Sequence, residues 1–239
     1  MQQSIFGSAV QEAPASSDHQ TGFDTALADV VFTVIDLETT GLNPVKNSIT
    51  EITAIQFKNG EEVNKYSTLV KPSESIPDEV QNITGISNEM VAHAPALVMA
   101  LTELCSFVGS SPVIVGHNVS FDIRFLQEKL NQAGLGSFVE RFDPEKAVCT
   151  KVLAQKALPG LPSYEGVVVA NHCGVYNPNP HRAEYDVRMS AGILFVLIER
   201  LQADAATAQK MKTDPNITDI DTVTGMQVKE EPNEISYDD

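Results

Sequence analysis

Val30-Val31-Phe32-Thr33-Val34-Ile35-Asp36-Leu37-Glu38-Thr39-Thr40-Gly41 is the stretch that decides how this chain is read. Its first six residues form an unbroken, mostly β-branched run, the pattern of a buried strand. Side chains two apart on a strand share a face, so Asp36 and Glu38 present two carboxylates side by side. Like charges held that close repel and call for a cation between them. Thr39, Thr40 and Gly41 then turn the chain where backbone can approach a ligand. A carboxylate pair at a strand terminus points to a hard divalent metal and to hydrolytic chemistry on phosphates.

Working outward, residues 49–57 and 62–70 are two further β-rich runs, and Asn59-Gly60 between them is a hairpin turn signal. The domain therefore opens as a three-stranded antiparallel meander. Pro77-Asp78-Glu79 marks a helix start, and a loop is expected around Thr84-Gly85. Residues 96–108 have apolar side chains at helical spacing and are closed by Gly109. Val113-Ile114-Val115 reads as a short buried strand ending at Gly116-His117-Asn118. Residues 122–133 follow as an amphipathic helix stopped at Gly134. Helices are also expected over 145–158 and 164–173, then a Pro- and Asn-rich loop over 176–180, then a long helix from about 182 to 212. Strands first, then strand–helix alternation, predicts one α/β domain with a mixed sheet over residues 28–205. Residues 1–27 read as a disordered leader, and residues 206–239 as a helix end followed by an acidic disordered tail.

The 239 residues carry a formal charge of −16, unevenly spread. Residues 1–29 hold four acids and no base, residues 204–239 nine acids and three bases, and residues 30–203 the remaining 19 acids and 13 bases. Such a chain lacks the electrostatic footprint of a non-specific nucleic-acid clamp. Charge of this sign leaves chemistry on a strand end open, provided that metals and backbone dipoles do the gripping. No apolar run reaches membrane-spanning length, and the N-terminus lacks a secretory pattern. Cys105, Cys149 and Cys173 show neither a disulfide framework nor metal-ligand spacing, which fits a reducing cytoplasm.

Two more acids and a histidine complete the candidate set. Asp122 follows the short strand in Gly116-His117-Asn118-Val119-Ser120-Phe121-Asp122, at an expected helix start. His181 and Asp186 lie in His181-Arg182-Ala183-Glu184-Tyr185-Asp186. Five residues apart on one helix they would diverge by about 140°. Pro178 and Pro180 keep the preceding segment non-helical, so His181 can sit on a loop while Asp186 projects from the helix. His117 reads as a structural strand-end residue.

In this order and spacing, the three pieces closely resemble the DEDDh (DnaQ-like) 3′–5′ exonuclease family, whose members include the epsilon proofreading subunit of bacterial DNA polymerase III. The resemblance covers roughly residues 30–200 and implies a ribonuclease H-like mixed five-stranded sheet flanked by helices. It further implies that Asp36, Glu38 and Asp186 bind metal directly, Asp36 bridging two Mg²⁺ or Mn²⁺ ions, with Asp122 serving the second ion through water. By the same resemblance His181 is the general base, and an imidazole's ordinary pKa of about 6.5 suits that role. Thr39, Thr40, Glu79 and Asn118 would meet the terminal nucleotide. One departure stands out: Thr84 occupies the place of a pocket histidine. The implied activity is removal of nucleoside 5′-monophosphates from a single-stranded DNA 3′ end, in proofreading or repair, with a DNA polymerase or another replication or repair protein as partner. The alternatives are the same chemistry on RNA ends, and a non-catalytic polymerase-associated module.

Overall fold

The first strand, β1 (Val31–Thr39), forms where its apolar run predicts and becomes the centre of the molecule. The computed structural model describes residues 27, 29–110 and 112–213, with only the backbone of residues 207, 208 and 210–213. The expected disorder of the leader and of the tail past residue 213 lies outside the described residues. Strands β2 (Ile49–Lys58) and β3 (Glu61–Leu69) complete the meander. Asn59 and Gly60 both take positive φ, 52° and 81°, as a two-residue hairpin turn requires. Strands β4 (Val113–Gly116) and β5 (Val148–Cys149) add parallel partners on the other side of β1. The sheet order is β3-β2-β1-β4-β5, mixed and five-stranded as anticipated.

Seven helices accompany this sheet among the described residues: α1 (Asp78–Thr84), α2 (Asn88–Val91), α3 (Leu97–Val108), α4 (Ser120–Gln132), α5 (Thr150–Ala157), α6 (Gly166–His172) and α7 (Ala183–Thr213). One expectation needs correction. The helix predicted over 145–158 starts only at Thr150, because Val148 and Cys149 pair with Val115 and Gly116 as β5. Two residues are too few to show a strand period, so the pairing is set by tertiary contact. A 3-10 turn at Gly136–Arg141 was likewise not anticipated.

Alternation along β1 sorts its side chains onto two cores. Ile35 and Leu37 face the cluster built with Leu101, Leu104, Phe125 and Leu126 of α3 and α4. Phe32 and Val34 face Val187, Ala191 and Leu194 of α7. Burial of each such side chain stabilises the fold by about 1.5–3 kcal/mol. The face that carries Phe32 and Val34 continues, two residues at a time, to Asp36 and Glu38. Where β1 runs out from beneath α7, its inward face thus changes from apolar to acidic. Among the described residues no helix is long and apolar enough to cross a membrane.

Candidate active site

The acidic end of β1 meets the first turns of α7. Carboxylate oxygens of Asp36, Glu38 and Asp186 all lie within 4.8 Å of one another. The ladder with β2 pairs Asp36 with Thr53 and Glu38 with Glu51, and it breaks in a bulge between Glu38 and Thr39. Asp122 is the third residue of α4 and is buried. Its Oδ1 accepts the Leu37 N–H at 3.1 Å, tying the peptide between the two strand acids to the second motif.

Burial together with mutual repulsion makes these groups hard to ionise. Burial is the largest cause for Asp36, followed by Asp122, Glu38 and Asp186, and its carboxyl is held well above the usual range. Glu38 is pushed up to about 8 by burial, then by Asp186, Glu51 and Asp122, with Arg182 pulling the other way. Burial raises Asp122 to about 7 against the opposing bonds from its own backbone and Leu37. Asp186 is raised by burial too, opposed by its bonds to His181 and Asn177. The guanidinium that pulls Glu38 the other way, Arg182, is itself bonded to Glu51. A set of hard oxygen donors in mutual repulsion fits a hard divalent cation.

The third motif is arranged as its prolines suggest. Helix α7 begins at Ala183, so His181 precedes it, exposed, at a φ of 64°. The His181 N–H donates to Asp186 Oδ2 at 2.8 Å, and Asn177 Nδ2 donates to Oδ1 at 2.8 Å. His181 therefore lies at the cluster despite its five-residue offset. A cleft of about 480 Å³ is lined by Asp36, Glu38, Asp122, Asp186, His181 and Asn118, with Leu42, Phe121 and Val167 as apolar flanks.

The remaining candidates divide. Asn118 takes a φ of 63° and lines the cleft. Thr39, Thr40 and Glu79 are not among its lining residues. The Thr39 hydroxyl donates to the Gly41 carbonyl at 2.7 Å, and that of buried Thr40 is drawn away to Glu74. Glu79 stands exposed in the first turn of α1. Thr84 is buried at the end of α1, where its hydroxyl accepts the Ile86 N–H at 3.1 Å. His117 also lines the cleft, and both its ring nitrogens are tied to the scaffold. Its Nε2 lies 2.9 Å from the Tyr164 carbonyl, which can only accept, so the proton is on Nε2. Its Nδ1 then accepts from the Thr150 hydroxyl at 2.9 Å. Burial lowers the pKa of this imidazole, against the opposing bond to Tyr164.

Sequence reasoning missed three residues. Buried Glu51 accepts from Arg182 Nη2 at 3.0 Å and from the Ala183 N–H at 3.1 Å, fastening the start of α7 to β2. An acid inside the apolar run of residues 49–57 was the available signal. Asn177 orients Asp186 from the Pro- and Asn-rich loop. Glu74 grips the turn after β1 from a loop, and nothing in its local sequence marks it.

Residues 33–194 match the family model RNase_T, described as Exonuclease. The DNA polymerase III subunit epsilon of Aquifex aeolicus (strain VF5) is 34% identical over 175 residues, covering 73% of this chain and 84% of that protein. A DNA polymerase III of PolC type from Clostridium perfringens (strain 13 / Type A) is 32% identical over 205 residues. That alignment covers 86% of this chain but only 13% of the far longer polymerase. Among solved structures, exonuclease X in complex with 5′ overhanging duplex DNA superposes with a TM-score of 0.56 at 30% identity, covering 74% of this chain and 95% of that one.

Proposed function

The chain belongs to the exonuclease family, and from that premise we propose that it removes nucleotides from the 3′ end of single-stranded DNA by a DEDDh-type, two-metal hydrolysis, releasing nucleoside 5′-monophosphates. The observation that carries this reading is the convergence of Asp36, Glu38 and Asp186 within 4.8 Å, beside an exposed histidine in the same cleft. Asp36, Glu38 and Asp186 would hold the ions directly, and Asp122 would assist through water while fixing the Leu37 peptide. Bound there, Mg²⁺ or Mn²⁺ supplies charge neutralisation and Lewis acidity toward a phosphodiester.

The chain's own groups do the rest. The His181 imidazole accepts the proton of the attacking water as general base. Its backbone bond to Asp186 keeps that imidazole at the acidic cluster. Asn118 offers an amide to the terminal nucleotide, and Leu42, Phe121 and Val167 offer apolar surface to its sugar and base. Thr39 and Thr40 contribute through the shape of their turn. DNA as the substrate, and a replication polymerase as the partner, are supported by the names of the epsilon and PolC-type relatives. The three cysteines are free, in keeping with a cytoplasmic setting.

Incubating the purified chain with Mn²⁺ and 5′- or 3′-labelled oligonucleotides of DNA and RNA tests the reading. The expected result is immediate release of a labelled mononucleotide from 3′-labelled DNA, a shortening ladder from 5′-labelled DNA, and full suppression by chelator. Release of the 5′ label first, or cutting that survives chelator, overturns it. Faster digestion of RNA reassigns the substrate.

A further inference from the structure

Between Thr40 and Ser48 the chain makes an excursion beside the cleft. Leu42, 84% exposed, lines the cleft from this loop, and Val45 is 62% exposed. The loop is internally braced: Asn43 N–H donates to Asn47 Oδ1 at 2.9 Å and Asn47 N–H to the Asn43 carbonyl at 2.8 Å. Gly41 belongs to the brace, since a Cβ there would come within 2.8 Å of the Asn47 side chain. A loop braced in this way moves as a unit, so its pose is set at its neck and by the Gln132 amide of α4, which donates to the Val45 carbonyl at 3.4 Å.

The neck is closed by one carboxylate. Thr40 N–H donates to the Ser48 carbonyl at 2.9 Å. Glu74 Oε1 accepts the Thr40 hydroxyl and, at 2.8 Å, the Ser48 N–H; that N–H is shared with Thr40 Oγ1 at 2.9 Å. Glu74 Oε2 accepts the Ser48 and Ser73 hydroxyls, each at 2.7 Å. Burial pushes this carboxyl upward, but the bonds from Thr40, Ser48 and Ser73 outweigh it and hold it at about 2. The grip is therefore anionic, and each of its bonds charge-assisted, throughout the neutral range. Glu74 does not line the cleft, so its influence on a bound strand must pass through the loop.

We propose that Glu74 is a positioning residue for the substrate: by clasping Thr40 to Ser48 it sets where Leu42 stands in the cleft, and so how tightly the end of a nucleic-acid strand is held. This rests on the nuclease reading above and adds to it a residue outside the metal site that governs affinity rather than turnover.

The test compares wild type with Glu74→Ala, Glu74→Gln and Ser48→Ala. For each, KM and kcat are measured on 3′-labelled single-stranded DNA with Mn²⁺, Kd on a fluorescent oligonucleotide with Ca²⁺, and Mn²⁺ affinity by calorimetry. Glu74→Ala is expected to raise KM and Kd about tenfold, the worth of a charge-assisted clasp. Its kcat and Mn²⁺ affinity should stay within about twofold of wild type. Glu74→Gln keeps one acceptor oxygen but turns an NH₂ toward hydroxyl donors, so it should fall between. Ser48→Ala should raise KM less, and its effect should not add to that of Glu74→Ala. If Glu74→Ala fails to fold, these two variants carry the comparison. Unchanged KM and Kd alongside a lowered Tm would make Glu74 a staple only and overturn the proposal. A joint fall in kcat and Mn²⁺ affinity also overturns it, because the influence then reaches the metal site. A wild type that binds DNA without cutting it sinks the nuclease reading and leaves Glu74 to be judged by Kd. A wild type that neither binds nor cuts overturns both.

Discussion

The wall of the cleft supplied by β1 and α4 is held by buried backbone pairing, whereas the wall supplied by residues 177–186 hangs on a few bonds near the surface. Asp36 and Glu38 are paired with Thr53 and Glu51 of β2, just past the stretch where β1 also pairs with β4, and the peptide after Asp36 is bonded to buried Asp122. Opposite them, His181 is exposed at a positive φ, and its place depends on Asp186, Asn177 and the Glu51–Arg182 pair. The contrast separates two jobs. Repulsion between Asp36 and Glu38 is borne by a paired strand, and His181, the proposed base, is mounted on a short segment before α7.

The strongest blow to this contrast is Asp36→Ala. Removing a proposed metal ligand from the rigid wall should cut the rate of label release on the order of a thousandfold, while the metal-free protein keeps or gains Tm as buried like charges are relieved. A sharp fall in metal-free Tm would show that the acids support the fold rather than strain it. His181→Ala strikes the other wall. Here kcat should drop on the order of a hundredfold with Mn²⁺ affinity intact by calorimetry, and a loss of both would merge the two walls into one functional unit.

Scanning Tm against pH sharpens the account of the rigid wall. Asp36, Glu38 and Asp122 all have carboxyls raised in the folded state, Asp122 to about 7 and Glu38 to about 8. The folded protein therefore binds protons that the unfolded chain has released, and their contribution is fully present below the unfolded value of about 4. Stability of the metal-free protein should fall as pH rises through those folded values. Mn²⁺ should restore it strongly above pH 8 and hardly at pH 5, and equal stabilisation at both would put the ion elsewhere. The smallest expected effect belongs to Glu51→Gln, which weakens the tie between β2 and the start of α7. Urea unfolding should show a loss of about 1–2 kcal/mol, set by a charge-assisted pair that is only partly buried.

Much of this was legible from residue order. The β1 run, the Asn59-Gly60 hairpin and the three motifs each announce themselves within a dozen residues, because period-2 alternation, turn chemistry and acid spacing are local properties. The prolines at 178 and 180 even located His181 before the helix. What stayed hidden depends on contacts between distant parts of the chain. Val148–Cys149 becomes a strand only because β4 lies beside it. Glu51 stands out as an acid in an apolar run, but nothing local names Arg182 as its partner, and Glu74 finds Thr40 across a loop with no pattern to foretell it. Thr40 shows the same limit from the other side: it lies in the first motif, but its hydroxyl is spent on the scaffold.

The left-handed backbone at His181 has a consequence for how such a domain ages under selection. A β-carbon in that conformation costs about 1 kcal/mol that glycine would not incur. A change to glycine here would therefore gain heat tolerance and lose the imidazole, so stability and the proposed base pull against each other at one position.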